Sequence, residues 1–226
     1  MLTLVLAEAE VELMPAELTC HPAVIANARQ RKKQPTQILL DSNYHHSAMT
    51  TLPEGRRRGR PDITHLFLLT ALESILNKQG QLHIIIHTRN DMVITINPET
   101  RIMRNYERFL GLMETLFEKQ VVPDEKHPLL SLRQNTPLNQ IIEQVQADEV
   151  ITFSKDGSTV ILPDYFKELK KQNKNHLLCV IGGFPSGEFH TDLKTITTDT
   201  FSLYPDMLPA WTVASEILVN YGNISR

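Results

Sequence analysis

The sequence predicts an α/β protein built on a mostly parallel sheet covered by helices. Three observations carry that expectation. Short apolar runs of strand length open the chain and recur towards its end. Segments with helical apolar spacing lie between them. From Thr136 onward strand and helix patterns alternate, as they do when crossover helices join parallel strands. The length of 226 residues suits one sizeable domain or two small ones, and 41% hydrophobic with 22% charged residues describes an ordinary soluble globular chain. No run of about 18 apolar residues exists to span a membrane. Residues 1–10 lack the basic flank and long apolar core of a signal peptide. The expected location is cytoplasmic, with no membrane partner.

Residues 2–6, Leu-Thr-Leu-Val-Leu, read as a buried strand. Residues 9–31 read as helical, with Pro15 and Pro22 limiting continuity. A second short strand is expected at 37–40. Asp41-Ser42-Asn43 is a cap-rich turn that opens a helix over 44–52. Residues 53–61, PEGRRRGRP, form a loop, and Pro61 suits the first turn of the next helix. In that helix Ile63, Leu66, Phe67, Leu69, Leu72 and Ile75 give wide apolar coverage, so it is expected to be buried on most sides. Segments 81–87 and 92–96 are β-rich, with Arg89-Asn90-Asp91 as the hairpin turn between them. Asn97-Pro98 reads as an N-cap and first helical position of a helix that runs to about Phe117. Residues 119–137, with Pro123, Pro128 and Pro137, read as a loop. A helix at 137–146 follows, then a strand at 150–153, a turn at 155–158 and a helix at 163–172. The chain closes with a strand at 176–181, a glycine-rich loop at 182–187, a strand at 195–203 and a helix at 208–221.

The two cysteines, Cys20 and Cys179, form neither a disulfide framework nor a CxxC pair, and read as reduced structural thiols. His83 and His87 share a strand face but lack a third ligand, so no metal site is expected. The net charge of −3 argues weakly against nucleic acid as a partner. Local patches matter more than the total, because screening confines each charge to about 8–10 Å. Arg29, Arg31, Lys32 and Lys33 make one basic cluster, Arg56, Arg57, Arg58 and Arg60 a second, and Arg101, Arg104 and Arg108 a third.

Four segments can carry chemistry. Gly182 to Gly187 follows an apolar strand, where parallel sheets bind ligands, and its glycines let backbone approach a ligand closely. The spacing is neither a dinucleotide fingerprint nor a P-loop, and a plain tight turn is the bland alternative. The stretch Leu203, Tyr204, Pro205, Asp206, Met207 and Leu208 bends between a strand and the last helix, so its backbone groups need partners from the chain, water or a ligand. In isolation a plain strand-to-helix connector is the better reading. Arg60-Pro61-Asp62 ends a basic loop in a carboxylate. Guanidinium groups can grip phosphates or uracil-like carbonyls, whereas Asp62 can accept a proton or an N–H, or simply cap a helix. Arg101, Arg104 and Arg108, if helical, fall within about 60° on one face, opposite Phe109, Met113, Leu116 and Phe117. Like charges so placed suggest an anionic partner, against the alternative of a solvated face.

Taken together, Asp41-Ser42-Asn43-Tyr44-His45, Arg58-Gly59-Arg60-Pro61-Asp62, Asn97-Pro98-Glu99-Thr100-Arg101, Arg104-Asn105-Tyr106, Arg108-Phe109, Ile181-Gly182-Gly183-Phe184-Pro185 and Ala210-Trp211-Thr212-Val213 resemble signature blocks of one family. It is the archaeal and eukaryotic pseudouridine-N1-methyltransferases of small-subunit ribosomal RNA, which are also ribosome biogenesis factors. The resemblance covers the whole chain, and its compact length looks archaeal. It implies a single SPOUT methyltransferase domain over 1–226, with a mostly parallel sheet and a deep C-terminal trefoil knot. Within it, an RNA-facing extension falls at about 41–120 and a cofactor-binding knot at about 136–226. The cofactor implied is S-adenosyl-L-methionine, bound by Gly182, Gly187 and residues 203–208. The implied partners are small-subunit ribosomal RNA, a second copy of the chain and small-subunit ribosomal proteins. Arg60, Asp62, Arg101, Arg104 and Arg108 match RNA-contacting positions, with Asp62 and Arg60 in the catalytic roles. Met103, where some relatives carry proline, allows a helix start near Asn105, with Arg101 and Arg104 then reaching RNA from a loop. A non-catalytic ribosomal-RNA assembly factor and a transfer-RNA methyltransferase are the alternatives.

Overall fold

The structure, a computed structural model, describes residues 1–225. In chain order the elements are β1 (Leu2–Ala9), α1 (Pro22–Gln30), α2 (Ser42–Met49), α3 (Pro61–Leu72), the single-turn α4 (Ile75–Lys78), β2 (Leu82–Thr88), β3 (Val93–Ile96), α5 (Tyr106–Lys119), β4 (Val121–Val122), β5 (Leu130–Arg133), α6 (Leu138–Val145), β6 (Glu149–Thr159), α7 (Leu162–Lys171), β7 (Leu177–Gly182), β8 (Asp199–Ser202) and α8 (Ala210–Ser225). Among the described residues the strands form one sheet in the order β4-β5-β3-β2-β1-β7-β6-β8. β2, β1, β7, β6 and β8 run parallel, whereas β3, β5 and β4 extend the sheet antiparallel.

β1 is central and buried at every position. A strand covered on both faces need not alternate apolar with polar side chains, which explains the apolar run of its first residues, where Thr3 alone is polar and pairs its hydroxyl with the His176 ring at 2.9 Å. On one face Leu4, Leu6, Ile84, Ile151 and Ile181 meet Phe67 of α3, Phe109 of α5, Phe166 of α7 and Ile217 of α8. On the other, Val5, Ala7, Leu178 and Val180 pack against Leu138, Ile141 and Ile142 of α6 and against Leu193. A smaller cluster joins α1 and α2 through Val24, Ala28, Ala48 and Met49 over Ile38 and Leu40.

Six local expectations change. The helix expected over 9–31 is confined to Pro22–Gln30, because Glu10 and Glu12 turn instead to arginines of other segments. The strand at 37–40 is reduced to an isolated bridge between Leu13 and Leu39. Asn97 caps only a turn, its side chain accepting from Glu99 N at 2.9 Å. The helix starts at Tyr106, where Asn105 accepts from Arg108 N at 3.0 Å. Residues 119–137 hold β4 and β5, strands too short to show a period. The turn at 155–158 is strand instead, with β6 shifting register against β8 between Phe153 and Ser158. The last strand covers only Asp199–Ser202, and a 3-10 turn precedes it at Leu193–Thr195.

Candidate functional site

A cavity of about 980 Å³ opens at the carboxyl ends of β6, β7 and β8. The 182–187 turn leaves β7 and the 203–208 bend leaves β8, so strands that sandwich β6 bring the two segments to one place. Gly182, Gly187, Leu203, Tyr204, Asp206, Met207 and Leu208 all line the cavity; Pro205 forms part of the bend but not of the lining. Two glycines are there for identifiable reasons. Gly183 packs on β1 so closely that a Cβ would meet Ala9 Cα at 2.6 Å, and Gly187 holds φ at +90°. Ile181, Phe201, Ala210 and Trp211 supply apolar and aromatic wall.

The bend suits a nucleoside ligand. Ser202 Oγ donates to Tyr204 O at 2.8 Å and closes the turn. Among the described residues, the N–H groups of Tyr204, Asp206, Met207 and Leu208 donate to no protein acceptor. Backbone donors beside an apolar wall are what a planar heterocycle with acceptor nitrogens requires.

Arg60 reaches the same cavity from the start of α3. Its Nε donates to Asp62 Oδ1 at 2.8 Å and its Nη2 to Asp62 Oδ2 at 2.7 Å. Both side chains are half-buried at 29% exposure, open enough to exchange partners. The fork raises the guanidinium's pKa further. Asp62 stands one step behind Arg60 and is not part of the cavity lining. Next to this pair Asp41 caps α2, accepting from Asn43 N at 2.8 Å and from the Tyr106 hydroxyl at 2.7 Å. Burial raises the Asp41 pKa and, with Asp41 beside it, drives Tyr106 far above the usual phenol range. Burial likewise lowers His45, whose Nδ1 accepts from Asp41 N, to about 4.

Of the basic clusters, the structure separates free charge from bound charge. Arg101, Arg104 and Arg108 are exposed, but only Arg108 is helical. The three arginines therefore do not form the helical stripe that their spacing allows; Arg101 and Arg104 sit on the loop leading into α5. That loop is anchored to α3, where the His65 ring meets Met103 O at 2.7 Å and stacks on Phe109. Tyr106 ties it to Asp41, and the Tyr44 hydroxyl, donating to Glu107 and pushed up to about 12 by that bond, ties it to α2. Arg31 and Lys33 are engaged with buried Glu114. Arg57 and Arg58 turn inward to Glu8, Glu10 and Glu12, so the 56–60 loop does not offer all its guanidinium groups to an anion. Sequence reasoning missed Glu10 and Glu12 because it placed residues 9–31 in a helix, and Glu8 because it ended the first strand at Leu6. The signal was present in the two-residue period of Glu8, Glu10 and Glu12. It also missed the 188–194 segment, which lines the cavity with Phe189, His190 and Leu193.

Fold and site define an α/β protein with a ligand cavity at the carboxyl edge of a parallel sheet, bordered by the Arg60 guanidinium. A family model described as "EMG1/NEP1 methyltransferase" matches residues 4–222, and the chain belongs to that family. The ribosomal RNA small subunit methyltransferase Nep1 of Methanothrix thermoacetophila is 51% identical, covering 99% of this chain and 96% of the relative. The protein of the same name from Thermococcus kodakarensis is 50% identical over 98% of this chain and 97% of its own. A crystal structure of Archaeoglobus fulgidus Nep1 bound to S-adenosylhomocysteine superimposes with a TM-score of 0.86 at 32% identity, covering 99% of this chain and 98% of that one. No helix among the described residues is long and apolar enough to cross a membrane, and none of their side-chain clusters could hold a metal ion.

Proposed function

We propose that the protein transfers a methyl group from S-adenosyl-L-methionine to nitrogen-1 of a pseudouridine in small-subunit ribosomal RNA, as a step in small-subunit assembly. The observation that carries this is the meeting of the 182–187 turn, the 203–208 bend and Arg60 around one cavity. When bound, the cofactor supplies an electrophilic methyl on a sulfonium. The unpaired N–H groups of Tyr204, Asp206, Met207 and Leu208 and the wall of Phe201 and Trp211 fit its adenosine end. What the chain must then do is hold an acceptor nitrogen in line, at about 3 Å, and exclude water.

Nitrogen-1 of pseudouridine carries a proton, whereas in uridine that position bears the sugar. We assign acceptance of this N–H to Asp62, whose oxygens retain lone pairs beyond the two that Arg60 occupies. Arg60 keeps Nη1 without a protein partner among the described residues and can donate it to a ring carbonyl as negative charge spreads there. Arg101, Arg104 and Arg108 are assigned to phosphates of a loop with the target base turned outward. A homodimer, a C-terminal trefoil knot, contact with small-subunit ribosomal proteins and a cytoplasmic location complete the proposal.

The test is mass spectrometry of a pseudouridine-containing stem-loop after incubation with protein and cofactor. A gain of one methyl on the pseudouridine is expected. The same loop with uridine should stay unmodified, and transfer RNA should gain nothing. Methylation of the uridine loop or of transfer RNA alone overturns the assignment; saturable RNA binding without any methyl gain marks a non-catalytic assembly factor.

A further inference from the structure

Arg57 differs from its basic neighbours in being buried, at 7% exposure. Its guanidinium is used in every direction. Nε donates to Glu10 Oε1 at 2.9 Å, Nη2 to Glu8 Oε2 at 2.8 Å, and Nη1 to the main-chain oxygen of Glu188. Its carbon centre lies 3.7 Å from the centroid of the Phe184 ring. Glu8 completes a second connection, accepting from His190 N and Thr191 N, each at 2.8 Å. Glu8 adopts φ +52°, a left-handed conformation rare for a side-chain-bearing residue, and the β1–β2 register breaks between Leu6 and Ala9 around it.

These contacts end on the cavity wall. Phe184, Glu188, His190 and Thr191 all line it, and a Cβ on Gly187 would come within 3.3 Å of Arg57 Nη1. A charge cluster that served only to stabilise the core would join one framework element to another. This one instead fastens a loop, through its main chain and one ring, to the bulged end of β1. The same Glu10 whose side chain holds Arg57 accepts Arg60 N at 2.9 Å through its carbonyl. The anchor for the loop is therefore continuous with the support of Arg60.

We propose that Arg57 is a positioning residue for the cofactor: it clamps the 184–191 loop in the shape that accepts S-adenosylmethionine, without touching the reacting atoms. This rests on the cofactor reading given above. Lysine cannot replace it, because one ammonium cannot satisfy two carboxylates and a carbonyl in a fixed plane while stacking on a ring.

The experiment measures S-adenosylhomocysteine binding calorimetrically, and steady-state kinetics on the stem-loop, for the wild type, Arg57→Lys, Arg57→Met and Phe184→Leu. Both Arg57 variants should weaken cofactor binding about tenfold or more, because a loop no longer held in its bound shape must be ordered at the expense of affinity. KM for the cofactor should rise, while KM for RNA stays unchanged, because Arg89 still holds Glu10, whose carbonyl supports Arg60 N, and Arg60 keeps Asp62. Phe184→Leu removes the ring without stranding a buried charge, and should show the same split with a smaller loss even if Arg57→Met fails to fold. Cofactor affinity close to wild type in Arg57→Lys and Phe184→Leu overturns the proposal. So does a parallel rise in both KM values, the mark of general destabilisation. A wild type that binds no S-adenosylhomocysteine removes the cofactor reading itself, and this inference with it.

Discussion

Asp62 holds Arg60 through both carboxylate oxygens, so removing its charge alters two things at once. Asp62→Asn keeps the shape but accepts no proton, and leaves Arg60 with one neutral contact. Turnover on the pseudouridine stem-loop should fall by about 10² or more, the contribution of a positioned general base. S-adenosylhomocysteine affinity, measured calorimetrically, should not change, because Asp62 stands outside the cavity lining. Unchanged turnover removes Asp62 from the chemistry. His45 makes a different prediction. Its folded value of about 4 lies below the usual imidazole value of 6.5, burial being the main cause, so the unfolded chain binds an extra proton between those limits. The stability this provides is complete above about pH 6.5 and is lost as pH falls towards 4. Buried His87 shifts in the same direction. The melting temperature should therefore drop on acidification from pH 7 to 5, and His45→Gln should flatten that slope; an equally steep slope in the variant assigns the pH dependence to other groups.

At the scale of elements, the loop before α5 is the clearest case of placement deciding role. Arg101 and Arg104 precede the helix and Arg108 lies within its first turn, yet the Tyr106 and His65 contacts fix the whole segment beside Asp41 and α3. Phosphate contacts from such exposed side chains act by releasing counterions. Arg104→Ala should therefore weaken binding of the stem-loop and reduce the slope of log affinity against log salt by about 1. The loss should be similar for pseudouridine and uridine loops, since a phosphate contact carries no base information. A slope equal to the wild type's takes Arg104 off the RNA surface.

For the whole molecule, the cavity draws on the carboxyl ends of three parallel strands and the start of α8, elements that meet only in the folded sheet. A ligand bound there binds only the native state. At a concentration a hundred times its Kd, S-adenosylhomocysteine should add about 2.7 kcal/mol to stability. For a chain of this length that raises the melting temperature by about 5–10 °C, measurable by differential scanning calorimetry. No shift at that concentration means the cavity is not its site.

The sequence by itself determined the parallel framework, the glycine turn after β7, the bend before α8 and the family blocks. Each of these is a local pattern: an apolar run, a helical period, or a motif on contiguous residues. It even contained the cue for the acidic segment that leaves β1, in the spacing of Glu8, Glu10 and Glu12. Only the tertiary structure decided which arginines are available. Arg31, Arg57 and Arg58 look like Arg101 and Arg104 in the sequence, yet the first three are bound to Glu114, Glu8, Glu10 and Glu12, and the last two are exposed. An ion pair depends on distance between groups far apart in the chain, and that distance is set by packing of the sheet rather than by neighbours in sequence.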